Sequence, residues 1–211
     1  MEIIWLDSIG STQSYLLDHI RNKSISEATL IATSNQTAGM GSRGNSWISQ
    51  KGNLFFSFAF LKDKLPSDLP LSAASIYFSM LLKEVLESFG SKVWVKWPND
   101  FYLNDAKVGG TITNVSNDFL VCGIGLNLLK RDDEFQSFDV DLDGAVILER
   151  FIILLKNTPS WKKVLKNFEI EFERSKKFYT HYKNETFPLK DAILCDDGAL
   201  MIDNQRIYSL R

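Results

Sequence analysis

The sequence predicts an α+β fold: a mixed, mostly antiparallel sheet with helices on one face, followed by a small C-terminal β module. Three observations predict it. Strand-like runs are joined by tight turns, as at "LNDAKVGGTITNV", which reads as a hairpin. Long helical patterns interrupt these runs instead of alternating with every strand, which argues against a regular parallel α/β sheet. The last thirty or so residues change character, to short runs broken by Asp-Asp-Gly and Asp-Asn turns.

Each element follows from its residues. "IIWL" reads as a strand. "STQSYLLDHIRN" reads as a helix with Ser11 as N-cap and Tyr15, Leu16 and Ile20 at helical spacing. "TLIATS" is a second strand, and 36–47, "QTAGMGSRGNSW", a polar, glycine-punctuated loop. "NLFFSFAFL" is aromatic and nearly continuous, so it belongs at the centre of a sheet. A long helix covers roughly 70–89 and ends before Gly90 at its C′ position. Strands "KVWVKW" and "FYLN" come next, then the hairpin with Asn104-Asp105 as its turn, then the buried strand "FLVCGIGLNL". "VILERFIILLK" and "SWKKVLKNFEIEFERSKKF" are helices. The helices after residue 70 are expected to cover one sheet face and leave the other for a ligand. Residues 1–177 are expected to form the main domain and 178–211 a β module too short to fold alone.

Composition narrows the function. With 211 residues, 45% hydrophobic and 24% charged, the chain can bury a core. A net charge of −2 argues against a general nucleic-acid binder. Cys122 sits in an apolar run and packs as a small hydrophobe, and Cys195 lies far along the chain. The two make neither a metal set nor a disulfide framework, so a reduced, cytoplasmic protein is expected. "MEIIWLDSIG" is no signal peptide, and no apolar run approaches the ~20 residues of a membrane span. His19 lies in a helix of mixed polarity and His181 in a Tyr/Lys-rich surface stretch, and both are read as solvated or satisfied, not catalytic.

Three stretches carry chemistry. In the 36–47 loop, Gly39, Gly41 and Gly44 permit close backbone approach to an anion, Arg43 adds a fork of donors and Trp47 a flat face. Alone it also reads as a plain surface loop, and it is not a P-loop. In "KWPNDFYLNDAKVGG", Asn99 and Asp100 stand where a strand ends, and Lys107 lies across the hairpin. Gly109 and Gly110 leave room beside them. The plain alternative is a capped turn with a solvated lysine. In "GIGLN", Gly123 and Gly125 fall on one strand face and mark a close approach, with Asn127 at the strand end.

Taken together, "STQ" (11–13), "QTAGMGSRGNSW", "KWPNDFYLNDAKVGG" and "GIGLNL" resemble the biotin protein ligases in order and spacing, from Ile3 to about Arg174. The resemblance implies a class II synthetase-like catalytic domain that uses ATP and Mg²⁺ to convert biotin to biotinyl-5′-AMP. It then transfers biotin to a lysine of a biotin carboxyl carrier protein of acetyl-CoA carboxylase or a related carboxylase. It implies that Ser11, Thr12 and Gln36 bind biotin's head group and that Gly109, Gly123 and Gly125 line its slot. Gly39, Gly41 and Gly44 match the loop that folds over the adenylate. Trp47 and Asn127 match residues at the adenine, and Asn99 precedes Asp100 in the nucleotide-facing turn. Lys107 matches the lysine bridging biotin's carboxylate and the α-phosphate, and Asp100 the acid that orients the acceptor amine. Arg43 is the remaining cation of the loop. No metal ligands are assigned.

The sequence departs from that family in the loop, which is usually arginine-rich: Met40 and Ser42 stand at two arginine positions. The catalytic strand begins at Ile3, leaving no room for the DNA-binding winged helix of some members, so no DNA partner is expected. The tail looks shorter than usual. An exposed sheet edge offers a surface for a homodimer. Two other readings are a lipoate or octanoate transferase and a non-catalytic biotin- or nucleotide-sensing module.

Overall fold

The structure, a computed structural model, describes residues 1–129, 137–141, 143–182 and 185–208, without the Arg43 side chain. Its centre is a seven-stranded sheet built from β1 (Glu2–Leu6), β2 (Thr29–Thr33), β3 (Leu54–Leu61), β4 (Trp94–Lys96), β5 (Asp100–Leu103), β6 (Ala106–Ser116) and β7 (Phe119–Leu126). The order across the sheet is β1-β2-β3-β7-β6-β5-β4. Only β1 and β2 pair in parallel, and the other five pairings are antiparallel. The parallel pair needs a crossover, supplied by helix α1 (Thr12–Arg21).

Strand alternation sorts the side chains into two layers. Leu54, Phe56, Phe58 and Phe60 of β3 face the main core together with Leu120, Cys122, Ile124 and Leu126 of β7. Helices α2 (Ala74–Ser88), α3 (Gly144–Lys156) and α4 (Trp161–Ser175) pack on that side of the sheet, so the expected helical layer lies on one face. Phe58 meets Phe78 and Phe151 edge-on at 4.9 and 5.5 Å. Burial pushes the Cys122 thiol pKa well above its ordinary value, as befits a packing residue. The opposite face carries α1, whose Leu16, Leu17 and Ile20 pack on Ile31, Ala59 and Val121. Because α1 is short, it covers only part of that face. The remainder, over β6 and β7, is where the small residues stand.

The helix ends follow their local chemistry. The Ser11 hydroxyl accepts from Ser14 N, Asp143 from Ala145 N and Val146 N, and Ser160 from Lys163 N. Gly90, with φ +93°, follows α2 as expected. Buried Lys83 pairs with Glu87 at 2.6 Å and Glu171 at 3.4 Å, tying α2 to α4. Glu171 also accepts from Val95 N on β4.

The tail forms β8 (Tyr179–Tyr182) with β9 (Glu185–Pro188), then a three-stranded sheet of β10 (Ile193–Leu194), β11 (Leu200–Ile202) and β12 (Gln205–Ile207). Asp203 and Asn204 both have positive φ, the backbone of a tight hairpin turn. Leu189, Ala192, Leu200, Ile202 and Ile207 join the main core instead of forming a separate one.

Candidate active site

The site begins with α1. Its N-cap places Ser11 and Thr12 at the edge of the open sheet face. The Thr12 N–H and hydroxyl both donate to Gln36 Oε1, at 2.9 and 3.1 Å. The hydroxyl's single proton is thereby used, so in its 2.8 Å contact with Ser57 Oγ it is Ser57 that donates. Gln36 Nε2 continues the chain to Ser49 Oγ, which donates to the Trp47 carbonyl. One directional network thus joins α1, β3 and the glycine-rich loop.

That loop is ordered by its own backbone. Thr37 N donates to Ile9 O and Ala38 N to Gly10 O, laying the loop along the chain entering α1. Trp47 N donates to Gly39 O and Gly41 N to Asn45 O, and Met40 bridges Ser46, closing a narrow hairpin. The Ser14 hydroxyl lies 2.9 Å from Met40 Sδ, an uncharged contact for the residue at an expected arginine position. The Ala38, Gly41 and Trp47 N–H groups are therefore engaged within the protein and not directed at a ligand.

A cavity of about 240 Å³ runs between this loop and the sheet. Ser11, Thr12, Gln13, Gln36 and Ser57 line one region of its wall, Gly123 and Gly125 its floor, and Trp47, Asn99, Asp100 and Lys107 another part. A second cavity of about 290 Å³ shares Met40, Gly41, Ser42, Asn99, Thr111 and Ile112 with it, so the two form one groove. Lys107 Nζ lies 2.7 Å from Asp100 Oδ1 and 5.3 Å from the centre of the Trp47 ring. The Trp47 indole lies flat on the floor: a Cβ on Gly125 would stand 2.9 Å from the ring, and one on Gly110 3.3 Å. Its Nε1 is buried with no partner. Asn99 is tied down through its side-chain bond to the Thr111 carbonyl and by Thr111 N donating to its own. Nearby, burial lowers the Lys96 pKa despite the adjacent Asp100 charge, and burial, with that charge adding to it, raises the Tyr102 hydroxyl to about 12.

Three expected positions lie elsewhere. Gly109 faces the core: it is registered with Phe101 and Leu126, and a Cβ there would meet Leu126 and the Gly125 carbonyl. A bulge between Phe101 and Tyr102 shifts the register, so the cavity glycine is Gly110. Gly39 packs inside the loop, where a Cβ would stand 2.6 Å from Ser49 Oγ. Asn127 does not line either cavity; its backbone pairs with Val108 and Phe138. Gly44 lines the second cavity, and the Arg43 side chain is outside the described part. Conversely, Gln13 and Ser57 line the main cavity without having been assigned a role, and Gly110, expected to leave room beside Lys107, lines it as well. Ser57 had a signal, as the one polar residue in an otherwise apolar strand. Gln13 sat in the "STQ" motif, where its neighbours drew the attention.

Fold and groove define an enzyme-like centre that joins a polar pocket to a lysine–aspartate pair. The chain belongs to the biotin/lipoate A/B protein ligase family, whose model matches residues 5–127. It is 39% identical to the biotin acetyl coenzyme A carboxylase synthetase from Helicobacter pylori, solved with bound biotinylated ATP, with a TM-score of 0.94 over 98% of this chain and 99% of that one. It is 32% identical over 177 residues to the bifunctional ligase/repressor BirA of Salmonella typhimurium, covering 79% of this chain and 54% of BirA. The biotin protein ligase from Aquifex aeolicus, in complex with biotin and ATP, shares the fold with a TM-score of 0.79 at 23% identity, over 100% and 96% of the two chains. The chain spans about half the length of the curated relatives it matches, or less.

Proposed function

We propose that this chain is an ATP-dependent biotin protein ligase. It joins biotin's carboxylate to the α-phosphorus of ATP, releasing pyrophosphate, and passes the biotinyl group from biotinyl-5′-AMP to a lysine of a biotin carboxyl carrier protein. One observation carries the reading: Lys107 stands on the same cavity as the Ser11, Thr12 and Gln36 pocket, with Asp100 at 2.7 Å. Two anions meet only if their repulsion is neutralised, and a cation at the reacting ends does this most where charge develops. Asp100, released from Lys107 as the anions arrive, is placed to orient the acceptor amine or take its proton.

The groove suits an acyl head in the first cavity and a nucleotide extending into the second. Among the described residues no group of three or more His, Cys, Asp or Glu forms a metal cage, and in this reading Mg²⁺ arrives with the nucleotide. The acetyl-CoA carboxylase named for the Helicobacter pylori synthetase favours the carrier domain of that enzyme as acceptor. Both cysteines are free, which favours the reducing cytoplasm. Among the described residues no helix is long and apolar enough to cross a membrane.

A lipoate ligase is the rival within the family. The hydroxyl and amide groups at the head end favour biotin, because a dithiolane ring leaves them unpaired. Mixing the protein with ATP-Mg²⁺, a carrier domain and either biotin or lipoate, and weighing the carrier, tests the assignment. We expect the mass of one biotinyl group, dependent on ATP. An unmodified carrier, or lipoyl transfer equal to biotinyl transfer, overturns it.

A further inference from the structure

We infer that Lys96 is a positioning residue for the transfer step: its ammonium takes over the Asp100 carboxylate when Lys107 turns to the reacting anions. This rests on the ligase reading. Lys107 Nζ stands 2.7 Å from Asp100 Oδ1. In the proposed reaction that cation moves to biotin's carboxylate and the α-phosphate. Asp100 would then face a phosphate with no counter-charge, and a carboxylate so placed takes up a proton or swings away. Protonated, it can no longer take the proton of the incoming amine.

A second cation stands on the other side. Lys96 is the cross-strand partner of Asp100 in the β4–β5 ladder, so both side chains lie on the open face of the sheet. Tyr102, two residues on, shares that face. Lys96 Nζ lies 5.4 Å from the centres of the Tyr102 and Phe178 rings, and Trp94 backs those rings at 5.3 and 5.7 Å. The rings attract the ammonium but leave its charge uncompensated. Lys177 also stands over Phe178, but it is paired with Asp105. Among the described residues Lys96 has no carboxylate partner. Burial lowers its pKa, the Asp100 charge raises it and the Lys107 charge lowers it. The departure of Lys107 from Asp100 therefore removes a repulsion and strengthens the pull of Asp100 on Lys96.

The test is single-turnover transfer from preformed biotinyl-5′-AMP to a biotin carrier domain, followed over a range of carrier concentrations for the wild type, Lys96→Met and Lys96→Arg. Methionine keeps the length and the contact with the rings and removes the charge. Arginine keeps the charge. Lys96→Gln, also uncharged, is measured in parallel in case methionine impairs folding. We expect the uncharged variants to lower the maximal transfer rate by about ten- to hundredfold, the loss expected when a reacting group is misplaced. The carrier concentration at half-rate should not move, and pyrophosphate release should fall far less. Lys96→Arg should recover most of the rate. Beside Asp100→Asn, Lys96→Met should add nothing, since it acts through that carboxylate. The inference is overturned if the uncharged variants transfer at the wild-type rate, if arginine loses as much as they do, or if their loss lies in the carrier concentration at half-rate. It is also overturned if transfer and pyrophosphate release fall by one common factor, or if the loss persists beside Asp100→Asn. A wild type that transfers no biotin from the adenylate overturns the ligase reading as well.

Discussion

Lys107 and Asp100 meet diagonally across a hairpin, since Asp100 is registered with Gly110 and Lys107 with Tyr102. Lys107 keeps 42% of its side chain exposed, so the pair adds little to stability and is free to exchange partners. In the proposed reaction its value is catalytic. Lys107→Ala should slow adenylate formation by about 10²–10³-fold while leaving the fold intact, measured as pyrophosphate release under saturating biotin. Near-normal release would remove Lys107 from the reaction. Met40 and Ser42 line the same groove without charge, so in the proposed reaction the adenylate's phosphate would have fewer cations to hold it. Ser42→Arg should slow adenylate dissociation by about tenfold, the gain of one charge-assisted bond. An unchanged dissociation rate in a rapid-filtration assay would show that another group anchors the phosphate.

At the scale of elements, the sheet's open face depends on α2 and α4 being fixed behind it. The N-terminus of α4 has two caps: Ser160 from within, and Asp68, whose two carboxylate oxygens accept from Trp161 N and Lys162 N at 3.0 Å each. Those two backbone bonds, Lys162 first, lower the Asp68 pKa below its ordinary 3.8. A lowered folded value means that the stabilisation is present above 3.8 and lost as pH falls through the depressed value. Asp68→Asn has one oxygen for two N–H groups, so it should melt below the wild type at neutral pH. The two melting curves should converge under strongly acid conditions, and a gap that stays constant across the titration would disprove the linkage. The elements themselves were legible in the residues: Ser11 announced α1, Gly90 the end of α2, and Asn104-Asp105 the hairpin. β4 is shorter than "KVWVKW" suggested, because Trp97 N donates to Ser175 Oγ instead of continuing the ladder.

At the scale of the whole molecule, the C-terminal sheet locks onto the main body of the fold through Gly198. Its carbonyl accepts from Trp97 Nε1 at 2.9 Å, just before Asn99 and Asp100. Its φ is +77°, and a Cβ there would stand 3.0 Å from Ala73 and Ile76. Gly198→Ala should destabilise the protein by about 1–3 kcal/mol, from backbone strain and the loss of this seat. Urea unfolding would check it, and an unchanged midpoint would show the tail to be energetically separate.

What the residues determined by themselves is local and chemical: the strand and helix runs, the cap and turn positions, and the types of side chain gathered near "KWPND" and "GIGLN". These depend on neighbours a few positions apart, which a linear reading sees. Tertiary structure alone decided that Gly110 and not Gly109 faces the cavity, that Trp47 lies on the floor, and that Lys96 stands opposite Asp100 and against Phe178. Each depends on strand register, a bulge or a contact between residues far apart in the chain. A shift of one residue in such pairing turns a side chain to the opposite face.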